Sequence, residues 1–365
     1  MDNVIPVKHE QNRILSIDFF RGITLFILVS GVAGLFTELV KAGKGGPIIA
    51  FLDRQTDHGQ WYELYFWDLI QPFFMFIVGV AMPFSVAKRM DRGESWNKLV
   101  RHALIRSFWF LVFGFMLGAK ENAYYLTNIL PQLAFTYPIA FLLIRKKIKW
   151  QLTISFAVIL ISDLLYRFWP VEGFNKLLPD NNFGNWFDLH TTGYLHPDHW
   201  VTFNAVSTLA HVIWGVVIGK LLMKDWSHKK KMFYMFLPGL VAVILGYALR
   251  PYFPIIERIS TGTYVIVTGG WALIAISFSY LLVDVWRFKK ITTFFAIFGM
   301  NSIFLYLFKE LGGRQLLHRM AAPFTSRIFS WSGDIAVYMI TVIIVAGMFW
   351  YLSYFLYRRK IFFKL

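Results

Sequence analysis

Residues 58–79 read HGQWYELYFWDLIQPFFMFIVG. A histidine, His58, stands just ahead of an apolar helix. Asp68 sits near the mouth of that helix, and Pro72 lies about one turn inside. Hydrocarbon normally excludes such groups, because unsatisfied polar atoms cost several kcal/mol there. His58, Trp61, Asp68 and Pro72 therefore read as the lip of a water-filled site. The rest of the chain reads as the scaffold around it.

Composition sets the class. Of 365 residues, 57% are hydrophobic and 16% charged, with a mean hydropathy of +0.51. Soluble domains average about 45–50% apolar and about 25% charged residues. Many apolar runs here reach the roughly 20 residues that cross a bilayer. The expected fold is all-α, a polytopic membrane bundle forming one domain over residues 1–365, with no internal repeat. Cysteine is absent, which removes disulfides, thiolate nucleophiles and Cys metal sites. The net charge of +16 falls in short loops between spans, where orientation and anionic lipids call for it. No basic stripe with interleaved stacking residues occurs on a soluble module, which argues against nucleic acid as a partner.

Ten spans are expected, at about 15–37, 65–87, 101–119, 123–144, 150–168, 201–223, 232–250, 261–285, 291–309 and 334–357. The first dozen residues are polar and include Lys8, with Arg13 just beyond, and lack the pattern of a cleavable signal. A short turn around Glu121 and Asn122 joins spans three and four. Segments around Lys88 to Arg106, Arg145 to Lys149, Lys224 to Lys231, Arg287 to Lys290 and Arg358 to Lys364 alternate with loops poorer in Lys and Arg. The basic set belongs in the cytoplasm. Ten spans then place both termini there and His58 on the opposite face. Trp61, Tyr62, Tyr65, Trp67, Trp169 and Trp200 sit near span ends, as interface belts do.

His58 leads the chemical candidates. A neutral imidazole can take a proton from an amine or hydroxyl, or attack an acyl carbon; the plain alternative is a solvated loop histidine. Asp68 can orient that ring or bind a cationic amine, or it can simply favour a helix N-terminus. Asp18 and Arg21 are spaced as a helical pair, and a guanidinium at Arg21 also suits a phosphate. His190, His196, Asp198 and His199 cluster in one outer loop, where solvation or substrate contact fits better than a metal. No metal is expected. His211 falls inside span six and needs a partner in the bundle. Asp163 and Arg167 are four apart. Asn301 is a buried amide in span nine that needs partners from other helices or a ligand. Glu310, Arg314 and His318 follow at helical spacing.

The blocks RILSIDFFRG, HGQWYELYFWDLIQPFFMFIVG, ERISTGTYVIVTGGWALIAISFSYLLVDVW and FGMNSIFLY resemble, in order, the heparan-alpha-glucosaminide N-acetyltransferase family and its bacterial relatives. The second block is the most specific: His58, Trp61, Asp68, Pro72 and Gly79 fit each position of the family's pattern. The resemblance implies a membrane enzyme of the bacterial inner membrane. It would move acetyl groups from cytosolic acetyl-CoA to the amine of glucosamine or a related amino sugar on the periplasmic side. It places the active-site histidine on His58. The family's Asn in the first span is Ser30 here, and its Gln-Arg before span four is Pro131-Gln132. An outer N-terminal domain of the lysosomal members has no expected counterpart. On this reading His58 and Asp68 are catalytic. Ser30, Trp61, Asn301 and Asp198 are oxyanion or acceptor candidates, and Arg21, Arg101 and Arg106 are coenzyme contacts. The expected partners are acetyl-CoA, the amino sugar, the lipid bilayer and a second copy of the chain. A secondary transporter of sugars or cell-wall fragments is the alternative, because interrupted spans with buried polar residues suit transport too. An assembly partner is a third reading.

Overall fold

The computed structural model describes residues 14–119, 125–170, 173–174 and 177–363. The turn expected at Glu121 and Asn122, and the positions of Lys8, Arg13 and Lys364, lie outside the described residues. Among the described residues all regular structure is helical. α1 (Leu15–Ser30) ends at Gly31 and is followed by α2 (Gly34–Lys41). The short α3 (Pro47–Gln55) leads into the loop that carries His58. Next come α4 (Ile70–Met90), α5 (Trp96–Ala119), α6 (Ile129–Leu143) and α7 (Ile148–Phe168). The short α8 (Phe183–Thr191) precedes α9 (Asn204–Leu222), α10 (His228–Leu249) and α11 (Gly262–Tyr280). α12 (Lys289–Met300), α13 (Ser302–Phe308), α14 (Arg314–Ile328) and α15 (Asp334–Arg358) complete the chain.

Among the described residues eight helices are long and apolar enough to cross a membrane. A ninth crossing is available if α12 and the α13–α14 segment, bent by 67° at Asn301, count as one span. The protein is thus a polytopic membrane protein, with two differences from the expected ten regular spans. Expected span four is the 15-residue α6, about 22 Å long at about 1.5 Å per residue, short of a hydrocarbon core of about 30 Å. Asn128 caps its start by accepting the Leu130 N–H at 3.0 Å. Expected span nine is broken at Asn301, whose φ of −120° and ψ of 36° leave the helical region.

α4, α9 and α11 are the most buried spans, and the others surround them. α4 and α9 touch backbone to backbone. A Cβ on Gly79 would lie 2.1 Å from the Val212 carbonyl oxygen, and one on Gly215 2.1 Å from that of Phe76. Any side chain there would force the two helices apart. Around this contact Phe73, Phe76, Ile77 and Val80 of α4 pack with Trp214 and Ile218 of α9 and with Tyr264 and Val267 of α11. This packing fixes the start of α4 and the start of α11 at one end of the bundle, where the candidate site lies.

Candidate active site

Asp68 lies in the 3-10 turn Trp67–Leu69 that leads into α4, and it is fully buried. Its carboxylate accepts N–H groups from Tyr65 at 2.7 Å and from Gly59 at 3.2 and 3.3 Å. These bonds fold the loop back on the helix mouth. Gly59 permits that closure: a Cβ would sit 2.7 Å from the Glu63 carbonyl oxygen and 2.9 Å from Asp68 Oδ2. The buried Tyr264 hydroxyl of α11 donates to the Asp68 carbonyl oxygen at 2.9 Å. The turn is therefore held from two sides.

His58 is delivered to this carboxylate. Its Nδ1 lies 3.1 Å from Asp68 Oδ1 and 3.1 Å from Glu257 Oε2. Glu257 belongs to the loop between α10 and α11, 199 positions away, and is 3% exposed. Carboxylate oxygens flank Nδ1, so the proton on Nδ1 is the donor there. Nε2 makes no hydrogen bond among the described residues, and the ring lines a cavity. Burial works against the imidazolium, but hydrogen bonds to Asp68 and Glu257 outweigh it and raise the His58 pKa to about 10. Burial lifts the Glu257 carboxyl above the usual range, with Asp68 adding to that rise and His58 opposing it.

His58, Asp68 and Glu257 place three ligand atoms within 4.8 Å of one another, and no other such group occurs among the described residues. By number this set could begin a metal site. The same spacing suits a protonated imidazole, whose charge takes the place of a cation between the carboxylates.

The cavity has a volume of about 720 Å³. At one end it is lined by His58, Glu257, Asp198, His196 and Trp200, and deeper in the bundle by Ser85, Arg21 and Arg106. Ile70 and Ser85, both on α4, line it; that is a depth of about 22 Å at about 1.5 Å of rise per residue. Arg106 lies against the faces of Tyr137, at 4.9 Å, and Phe110, at 5.3 Å. Its Nε is buried with no hydrogen-bond partner among the described residues. Arg21 lies 3.7 Å from Asp18, the expected helical pair.

One guanidinium ties the rim together. Arg258 donates from Nη1 to the Gly59 carbonyl oxygen and from Nε to that of Asp198, each at 2.8 Å. It also sits 5.9 Å from the centre of the Trp200 ring, which meets His58 edge-on at 5.5 Å.

The other candidates divide. Asp198 lines the cavity. Trp61 does not: its Nε1 donates to the Leu177 carbonyl oxygen at 2.8 Å, pinning one loop to the next. Ser30 is fully buried at the end of α1, where its Oγ accepts the Val32 N–H at 3.3 Å, away from the cavity lining. Asn301 also stands outside the lining. Its amide donates to the Ile361 carbonyl oxygen at 3.1 Å and accepts the Phe363 N–H at 3.0 Å, so both its polar atoms serve the C-terminal tail. Arg101 is exposed and absent from the lining.

The histidine-rich loop does not converge on a metal. His190 bonds the Trp186 carbonyl oxygen, His199 faces Asp180, and His196 packs on Tyr125. Asp163 and Arg167 make separate contacts. Asp163 accepts the Gly262 N–H at 2.8 Å, while Arg167 lies over Phe253 and donates to the Tyr252 carbonyl oxygen. Gln132 bonds Gln71, a cavity-lining residue, at 2.6 Å.

Glu257 is the residue that sequence reasoning missed. The signal was local: a carboxylate flanked by Ile255, Ile256 and Ile259 is unusual in a solvated loop, because glutamate is almost never fully buried unless paired.

Two characterised proteins align with nearly the whole chain. Heparan-alpha-glucosaminide N-acetyltransferase of Mus musculus is 23% identical over 425 aligned residues, which take in 98% of this chain and 61% of the mouse protein. The Homo sapiens protein of the same name is 24% identical over 422, covering 97% and 60%. The relationship is distant but nearly full-length. The chain spans about three fifths of the length of these curated relatives. No protein-family model matches it.

Proposed function

We propose that this chain is a transmembrane acetyltransferase. It takes acetyl-CoA at the basic end of the cavity and an amino sugar, glucosamine or a close relative, at the His58 end. One observation carries the reading: a single cavity is lined both by His58, whose Nε2 has no hydrogen-bond partner among the described residues, and by the half-buried Arg106. Arg106 and Arg21 suit the phosphates of the donor. Asp198 and Glu257 suit a cationic amine at the opposite end. In the setting proposed here, α6 and the bent α12–α14 segment bring the crossings to ten. Both termini and the basic loops then lie in the cytoplasm of a bacterial inner membrane, and His58 faces the periplasm.

The transfer forms a C–N bond between the sugar amine and the acetyl carbon and breaks the C–S bond of the thioester. A proton leaves the amine, and the sulfur departs as the thiol. His58 Nε2 either takes that amine proton or first accepts the acetyl group and then releases it to the amine. Asp68 and Glu257 act through Nδ1, orienting the ring and stabilising its charged form. The base form of the ring is required, so the carboxylates also set the pH at which the ring is competent.

The test uses the full chain in sealed vesicles, with radiolabelled acetyl-CoA on one face and glucosamine on the other. Label should appear in N-acetylglucosamine only when donor is supplied on the Arg106 face. Uptake of labelled sugar without any acetyl donor would support the transporter instead and defeat this reading.

A further inference from the structure

A second, almost wholly apolar groove of about 490 Å³ lies beside the cavity. Its walls include Phe113 of α5, Phe304 and Leu307 of α13, and Leu311 and Leu316 beyond it, with Phe363 of the tail at one end. Ile303 lines both the groove and the cavity. The partition continues through the π-turn Lys309–Gly313. Lys309 and Glu310 line the cavity, whereas Leu311, Gly312 and Gly313 line the groove. Gly312 breaks the helix there with a φ of 94°, and the Phe308 ring packs against Gly313, where a Cβ would lie 2.6 Å from it. π-turns inside helices recur at functional sites.

A groove open to lipid can take bulk lipid anywhere on a membrane protein. This one differs in sharing a wall with the cavity that holds His58 and in meeting it beside a charged pair, Lys309 and Glu310, 2.7 Å apart. Hydrocarbon on one side of a thin wall and charged groups on the other match a single molecule with an apolar tail and a polar head. We propose that the groove holds the hydrocarbon chain of a lipid-linked amino sugar, whose sugar crosses the π-turn into the cavity. The acceptor then reaches His58 sideways from the bilayer, and the groove sets a preference for lipid-linked over free sugars. This inference rests on the acetyltransferase reading and narrows its acceptor.

The experiment compares free glucosamine with dodecyl glucosaminide as acceptors for the full chain in vesicles. The dodecyl acceptor should show a KM at least about tenfold lower, since each buried methylene adds to binding. Partitioning of the alkyl chain into the bilayer alone could give such an advantage, so Leu307→Trp and Leu316→Trp, which fill the groove, decide the matter. Each should remove most of the advantage and leave turnover of free glucosamine unchanged, which also shows that the variant folds. Equal KM values for the two acceptors, or an advantage that survives both substitutions, would overturn the proposal. Failure to acetylate either acceptor would instead remove the acetyltransferase reading on which it stands.

Discussion

His58 and His211 differ in what faces their ring nitrogens. His58 sits in a loop between two carboxylates and lines a cavity, and its second nitrogen has no hydrogen-bond partner among the described residues. His211 is fully buried in α9. Its Nε2 meets the Thr268 hydroxyl at 2.9 Å and the Val265 carbonyl oxygen at 3.1 Å, and its Nδ1 has no partner among the described residues. Among the described residues no carboxylate bonds to it, and it lines neither cavity nor groove. Burial makes a histidine conspicuous in a sequence of spans. Chemistry needs in addition a charge partner on one nitrogen and room at the other.

The contrast breaks most directly at His58 itself. His58→Ala should lower acetyl transfer by about 10²–10⁴-fold, the usual contribution of a positioned acid or base; a radiolabel assay in vesicles reads this, and full activity would end the proposal.

Glu257→Gln should act through pH. Removing one carboxylate lets the His58 pKa fall from about 10. In the parent protein the rate should therefore climb as pH rises from 7 toward about 10. In the variant the climb should start at lower pH, and each unit of displacement changes the base fraction about tenfold. An unmoved profile would mean that Glu257 is only packing.

At the far end of the cavity, Arg106→Ala should raise the KM for the acetyl donor by about tenfold, the size of one charged hydrogen bond. Arg101→Ala should change it by less than about twofold, given its exposure. Equal effects in steady-state kinetics would put the donor outside the cavity.

His211→Gln sharpens the contrast from the other side. It should lower thermal stability by about 1–3 kcal/mol, the cost of disturbing a buried polar contact, and leave the shape of the pH profile intact. The smallest expected effect is that of a chelator. If the imidazolium is the cation between Asp68 and Glu257, prolonged treatment with EDTA should leave the rate unchanged, whereas a loss restored by zinc would assign those three side chains to a metal.

The ten-residue spacing of His58 and Asp68 was legible because one turn and one helix mouth lie between them. Glu257 was not, since only the packing of α11 against α4 brings it to Nδ1. The polar character of Asn301 was legible, and so was its need for partners. That the partners would be the tail residues Ile361 and Phe363 depended on a helix break that apolar periodicity does not announce. Span four came out shorter for a related reason. The window 123–144 is mostly apolar, but among its described residues only 129–143 are helical. Arg106 could be placed on its helix from sequence. Its selection over Arg101 needed the facing rings of Tyr137 and Phe110, which come from α6 and from the next turn of α5 itself.

Arg258 holds the Gly59 and Asp198 carbonyls with one planar group and lies against Trp200. Three stretches of chain, distant in sequence, are thereby riveted at a single point. The outline of the mouth thus depends on one side chain, and its removal would free all three stretches at once.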